Sequence, residues 1–597
     1  MTVALFVLLL ILAWFAFSGG TPVEVKSNVA LVIAPSGQLV EQIDRQSGRA
    51  FIEDIAGNRP SQTLLRDLTD ALAAGAKDPR IKIAVLKLDD MTDSGMAQIE
   101  ELGAAVQRFR KSGKQVITYG PWYDQNGYYV AAQGDQIVLD PMGAVNIEGF
   151  SAYNNYFKDA LEKLGVQVNV FRVGQYKSAV EPFTRNDMSD AARDADRKWL
   201  GDLWLNYTQG ISKARNLPTT ATDEYVNAYA SAMEKNQGDA AAYARQAKLV
   251  TSIETLTEFR KRVGAIVGFD NDQGSFRQIN FRDYLRAIGH EDGDARQTHD
   301  TKVALVVVQG EIVDGDGDPG QAGGDTIVDL LGQALRDEHV SAVVLRVDSP
   351  GGSVWASERI RRAVDNLRAA GKPVVVSMSS VAASGGYWIS MDSNEIWAQP
   401  GTITGSIGIF GMIPTIDKPL QKLGIHTDGV GTTPLAGAFR IDRPLSPMVA
   451  SIIQAQINKG YMDFVGGVAK ARKLPLAQVE AIAQGRVWSG ADAKRLGLVD
   501  HFGNLDQAAA AAAQLAGVKA GDYDLEELYP EHNYASQLFS LFSAHIRLDM
   551  IPGLPSFAQQ LLRKADVGRE LNWLNDPNGM YARCFCSMNS GRRAGLR

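Results

Sequence analysis

An internal repeat constrains this chain more than any other feature. Val344, Leu345 and Asp348 fall on Val85, Leu86 and Asp89 when positions are shifted by 259. At the same offset Gly386-Tyr387 falls on Gly127-Tyr128, Ile396 and Pro400 on Ile137 and Pro141, and Lys422-Leu423-Gly424 on Lys163-Leu164-Gly165. With a two-residue slip, Lys470-Ala471-Arg472 answers Lys213-Ala214-Arg215, and Leu474-Pro475 answers Leu217-Pro218. One offset kept through so many matches means two copies of one structural unit. A length of 597 residues independently requires more than one core.

Each copy alternates short β-branched runs with helical patterns. The second copy places strands at Val303 to Val308, Ala342 to Val347 and Val374 to Ser377, with helices over Thr326 to Arg336 and Trp355 to Ala370. The first places strands at Val29 to Ile33, Ile81 to Leu88 and Gln115 to Tyr119. These runs are apolar with little alternation, as in parallel strands covered on both faces. Strand–helix–strand order at this spacing gives βαβ units and an α/β fold. The expected division is 25–269 for the first repeat, 270–300 for a polar linker with a helix near Phe281 to Ile288, 301–522 for the second repeat, and 523–597 for a tail. Leu538, Phe539 and Leu541 of that tail could meet a partner or a membrane.

Thr2 to Phe17 form an uncharged apolar run, slightly short of the ~20 residues that span a bilayer as a helix. A cleaved secretory signal, loosely suited by Ser18-Gly19-Gly20, and a buried core helix are alternatives. The expectation adopted is a transmembrane signal anchor over 1–20, with the large remainder outside the cytoplasm.

The net charge is -7, from 61 basic and 68 acidic residues. No long basic stripe is present, and Arg260-Lys261-Arg262 is a short solvated run, so nucleic-acid binding is not expected. The two cysteines, Cys584 and Cys586, lie near the C-terminus, so no disulfide staples the body of the chain. They make a poor metal site alone, and the seven histidines show no metal-binding spacing. Neither metal nor organic cofactor is expected.

The chemistry concentrates around Ser384. A β-branched run, Val374-Val375-Val376, leads into Ala382-Ala383-Ser384-Gly385-Gly386 and an apparent helix. The small neighbours let a substrate backbone approach, and free N–H groups there could face developing negative charge. Ser384 could instead be an ordinary helix N-cap. Against capping, the first copy carries Gln125 at the matching position. Asp348-Ser349-Pro350-Gly351-Gly352-Ser353 ends the preceding strand and could expose N–H groups to an oxyanion, whereas the first copy reads Asp89-Asp90-Met91-Thr92-Asp93. Both segments lie beyond the carboxyl ends of strands, where α/β sheets bind ligands. No G-x-S-x-G elbow surrounds Ser384, and no histidine base is evident.

These motifs, with Gly405-Ser406-Ile407-Gly408, Gly485-Arg486-Val487-Trp488-Ser489-Gly490 and Gly497-Leu498-Val499-Asp500, resemble the long two-repeat form of the signal peptide peptidase A (protease IV) family, S49. The resemblance spans nearly the whole chain. It implies tandem crotonase-like α/β domains, related to caseinolytic proteases, after an N-terminal transmembrane helix. It also implies a serine endopeptidase with Ser384 as nucleophile, Lys177 as base, Ser406 orienting the lysine amine, and no cofactor. The family degrades signal-peptide remnants. The implied setting is a homotetramer on the periplasmic side of the bacterial inner membrane, membrane-attached through the N-terminal helix, with peptides as partners.

Lys177 alone is one lysine among many, and a surface charge is the ordinary reading. The repeat changes its weight, because its counterpart is Ala436 while the counterpart of Ser384 is Gln125. Each half lacks what the other holds, as expected if two halves face one shared site. Backbone N–H groups of Gly352 and Gly385 are the expected oxyanion donors. A crotonase-type thioester enzyme and a non-catalytic membrane scaffold or chaperone are the alternatives.

Overall fold

The computed structural model describes residues 24–43, 61–289, 299–530, 575–584 and 586. Its strands arise where β-branched runs can be buried on both faces. In the first half, Val29–Ile33 is buried throughout. It is the second strand of a parallel sheet ordered Gln278–Asn280, Val29–Ile33, Ile81–Leu86, Gln115–Gly120, Gln136–Leu139, Ser252–Ile253. The second half repeats this as Lys302–Gln309, Val340–Ser349, Val374–Ala383 and Glu395–Ala398, all parallel. The helices Asp190–Arg215 and Pro447–Arg472, each of 26 residues, are a further pair of counterparts.

Residues 270–300, read as a polar linker, also supply the edge strand Gln278–Asn280 and the helix Phe281–Ala287. The segment read as a tail supplies Asp524–Glu527, which pairs with Lys302–Gln309. It also supplies a short strand, Tyr581–Arg583, in a third sheet. That sheet runs Gln321–Gly323, Glu311–Val313, Gly351–Ser353, Tyr581–Arg583, Phe410–Thr415, Gln167–Arg172, and so draws on both halves of the chain. Leu538, Phe539 and Leu541 lie outside the described residues.

The two halves are locked by buried charge. Arg346, on a central strand of the second half, donates from Nε to Glu41 Oε2 and from Nη2 to Glu101 Oε2, both at 2.9 Å. Its Nη1 donates to Ser377 Oγ at 2.8 Å. All three charged side chains are buried. The guanidinium fork and two carboxylates satisfy each other where water cannot.

One expectation needs correction. The sequence reading placed a transmembrane helix at 1–20, and with it membrane attachment and an inner-membrane, periplasmic location. Among the described residues, no helix is long and apolar enough to cross a membrane. The two 26-residue helices, about 39 Å each at 1.5 Å per residue, have the length but not the composition. Charges such as Asp194, Lys198 and Asp202 on one, and Lys459 and Asp463 on the other, mark them as one-sided surface helices. The run Thr2 to Phe17 itself lies outside the described residues. The fold is therefore described as tandem α/β domains, without the membrane helix.

Candidate active site

Ser384 stands at the end of the ten-residue strand Val374–Ala383, which runs six residues past its sequence-predicted end. Ala382 and Ala383, read as part of the small-residue stretch after the strand, instead continue it beside Ile403–Gly405. Ser384 then turns sharply, with φ 57° and ψ -110°, into the helix Gly385–Trp388. A non-glycine residue held there costs about 1–3 kcal/mol of backbone strain. The turn is pinned by Ser384 N–H donating to Gly405 O at 2.8 Å and Trp388 N–H to Ser384 O at 2.8 Å. The Ser384 side chain makes no capping bond, which disposes of the N-cap alternative. The helix spans only four residues, so any N-terminal field is small, and individual N–H groups matter more than a macrodipole.

Lys177 reaches this serine from the other half of the chain. Its Nζ lies 2.6 Å from Ser384 Oγ, 3.1 Å from Ser406 Oγ and 3.2 Å from Ser406 O. Lys177 is 1% exposed and Ser384 is fully buried. Burial disfavours the ammonium and pushes the lysine well below its ordinary value. Among the described residues the amine bonds only to Ser384 and Ser406, so no ion pair offsets that desolvation.

The motif glycines explain how a first-half lysine gets there. A side chain on Gly485 would begin 2.7 Å from Lys177 Cα, at φ +80°. Only glycine lets the two backbones meet. Tyr176 N–H donates to Gln484 O at 3.0 Å, fastening the lysine segment to the Gly-Arg-Val-Trp motif. Arg486 stacks over Tyr176 and Trp488, 5.0 Å and 4.6 Å from the ring centres, and its carbonyl accepts from Ser406 N–H at 2.7 Å. Three sequence motifs thus converge on one amine.

The counterpart positions are empty of this chemistry. Gln125 Oε1 accepts from Glu148 N and Gly149 N, at 3.2 Å and 2.8 Å, in a structural role. Ala436 lies in an exposed turn.

Gly351–Ser353, the glycine strand, runs beside Ser384. Gly351 N–H is taken by Ser349 Oγ at 3.1 Å. A side chain on Gly351 would begin 2.4 Å from Gly385 N and 2.0 Å from Ala582 O, and one on Gly385 would begin 3.0 Å from Ala582 O. The backbones of Gly351 and Gly385 and the Ala582 carbonyl therefore share one small space. The sequence reading brought Gly352, Gly385, Ser384, Ser406 and Lys177 to this place, but it missed the C-terminal strand lying over them. Met580 to Cys586 carries too short a pattern to register as a strand, and no feature of the sequence links it to residues 351–353.

Such a group of side chains can move a proton from a hydroxyl to a neutral amine and expose the oxygen to an electrophile. No group of three or more His, Cys, Asp or Glu side chains suited to a metal occurs among the described residues. The Cys584 and Cys586 sulfurs are bonded to each other.

The comparisons agree with this chemistry. The family model "Peptidase family S49" matches residues 108–265 and 366–519. Protease 4 of Haemophilus influenzae is 38% identical over 592 residues, covering 97% of this chain and 95% of the relative. Protease 4 of Salmonella typhi is 38% identical over 605 residues, covering 99% and 96%. The chloroplastic serine protease SPPA of Arabidopsis thaliana is 29% identical, covering 76% and 66%. A ClpP1 mutant structure from Listeria monocytogenes aligns with 34% of this chain and 94% of its own at 15% identity and a TM-score of 0.23, a value that supports no statement about fold. The resemblance read from the motifs is borne out: the chain belongs to peptidase family S49 and is a serine endopeptidase.

Proposed function

We propose that Ser384 is the nucleophile and Lys177 the general base of a peptidase that cleaves extended, unfolded peptides through an acyl-enzyme. The observation that carries this reading is the 2.6 Å separation of Lys177 Nζ and Ser384 Oγ in a buried site. Neutral Lys177 takes the Ser384 hydroxyl proton, and Oγ attacks the peptide carbonyl carbon. The carbonyl electrons move to oxygen, where N–H groups of Gly352 and Gly385 receive the charge. As the C–N bond breaks, Lys177 returns its proton to the departing amine. Water then gives a proton to Lys177 and its oxygen to the acyl carbon. The proton returns to Ser384 as the acid leaves. Ser406 Oγ, 3.1 Å from Nζ, holds the amine in line.

The substrate class follows from the slot beside the serine. It lies between the glycine strand and Phe410–Thr415 and is one strand wide, since Tyr581–Arg583 fills it. A substrate takes this place when Tyr581–Arg583 leaves it, and must be extended to do so; a folded domain has already used its backbone groups. Signal peptides belong to this class, and a relative from Enterococcus faecium is named "Putative signal peptide peptidase SppA".

The test is acyl trapping. An activated ester of a short apolar peptide should leave its acyl group on Ser384, located by peptide mass mapping, with a burst of leaving group. Acylation elsewhere, or undiminished ester turnover by Ser384→Ala, would refute the assignment. Thioester turnover independent of Ser384 would favour the crotonase-type alternative.

A further inference from the structure

The C-terminal strand occupies the slot as an extended substrate would. Tyr581–Arg583 pairs antiparallel with the glycine strand in the register Gly351↔Arg583, Gly352↔Ala582, Ser353↔Tyr581. Flanking bonds fix that register: Cys584 N–H donates to Pro350 O at 2.8 Å, and Val354 N–H donates to Met580 O at 3.1 Å. Ala582 is fully buried, in the apolar cluster that holds Phe171, Ala382 and Ile409. Its carbonyl faces the Gly351 and Gly385 backbones, as described above. Alternate side chains leave the other face of the sheet. Tyr581 meets Phe410, with ring centres 5.8 Å apart.

Arg583 does something different. Its Nε lies 2.9 Å from Glu311 Oε1. Glu311 is the first residue of Glu311–Val313, which pairs with the opposite edge of the glycine strand in the register Ile312↔Gly352. One step back, Glu311, Gly351 and Arg583 stand in a row across three strands. Gly351 has no side chain to intervene, so the guanidinium passes over it to the carboxylate. The Glu311 side chain is 14% exposed. Burial raises its carboxyl to about 7, against the pull of Arg583. A largely buried acid one residue beyond the carbonyl that faces the glycines is poorly accommodated unless a cation answers it.

We infer that Glu311 is a specificity residue, selecting a cationic side chain immediately C-terminal to a small residue at the point of cleavage. This rests on the Ser384–Lys177 reading and on the C-terminal strand showing the register of a bound chain. In that register Ala582 supplies the acyl side of the bond and Arg583 the first residue of the leaving side. Glu311 touches neither reacting atom and acts on which peptide is held.

The test uses the full chain and three peptides, Met-Tyr-Ala-Arg-Ser-Ser and its versions with Gln or Glu in place of Arg. The wild type should prefer Arg over Glu by roughly tenfold in kcat/KM, with the change in KM. Products should map to the Ala–Arg bond. Glu311→Gln should flatten the order, and Glu311→Lys should reverse it toward the Glu peptide, which a merely structural role for Glu311 would not do. Anisotropy of the labelled Arg and Glu peptides on Ser384→Ala, with and without Glu311→Lys, reads the same preference without turnover. Charge-blind turnover, a preference that Glu311→Lys leaves unreversed, or no binding of either peptide overturns the inference. Turnover that survives Ser384→Ala instead overturns the nucleophile assignment, so the two failures are distinguishable.

Discussion

At the residue scale, burial disfavours the charged form of the Lys177 amine beside Ser384. Free lysine titrates near 10.4, and Lys177 is pushed well below that by desolvation. The rate should therefore rise as pH climbs through the lowered value and be level before the ordinary lysine range. A rate that keeps rising through pH 10 would contradict this. The sign for stability follows from linkage. Between the lowered folded value and the unfolded value, the unfolded chain holds a proton that the folded chain does not, so Lys177 subtracts stability there and subtracts more as pH falls. Lys177→Met should thus abolish turnover while leaving the chain as stable as wild type or more so, by denaturant unfolding. Ser406→Ala removes one partner of the amine and leaves the Ser406 carbonyl in place. It should lower kcat by about 10–100-fold, less than the ~10²–10⁴-fold of a whole acid–base contribution because the amine itself remains, with little change in KM.

Much of this residue-level picture was legible in the sequence. The complementary loss of Ser at Gln125 and Lys at Ala436 pointed to a site shared between halves, and the short glycine motifs marked close backbone approach. What sequence could not supply was distance. Nothing in Gly485 says that its partner is Lys177, because that contact joins segments about three hundred residues apart. The N-terminal anchor reading finds no support, since among the described residues no helix is long and apolar enough to cross a membrane, and the apolar run itself lies outside them.

At the element scale, the glycine strand serves both the serine turn and the third sheet. Gly351, at φ +91°, has Ala582 O and Gly385 N within 2.4 Å of where a side chain would begin. Gly351→Ala should therefore displace the C-terminal strand and distort the expected oxyanion donors. We expect a loss of at least about a hundredfold in kcat, the scale of an oxyanion donor. Faster hydrogen exchange at the Cys584 amide, which donates to Pro350 O, would report the displaced strand. Normal activity with an unchanged exchange rate would show that the crowding is relieved elsewhere. Strand cores were easy to read, since Val29–Ile33 and its counterparts are β-branched and buried on both faces. The third sheet was not, because its strands are mostly short, rich in glycine, and paired across distant segments.

At the scale of the whole molecule, the dyad exists only if the two halves keep their relative placement. Arg346 ties them through Glu41 and Glu101. Arg346→Ala would strand two buried carboxylates and should cost about 3–5 kcal/mol, measured by urea unfolding, with activity falling as the halves separate. A cost below about 1 kcal/mol would mean that apolar packing alone aligns them.

The most direct test of the shared site is complementation. Ser384→Ala and Lys177→Ala are purified separately, checked for intact fold, and assayed on an unstructured peptide alone and after mixing. Because Lys177 Nζ and Ser384 Oγ meet within one chain, 2.6 Å apart, neither variant nor the mixture should turn the peptide over. Near-wild-type turnover by either variant would contradict the dyad, and recovery of activity on mixing would contradict its formation within a single chain.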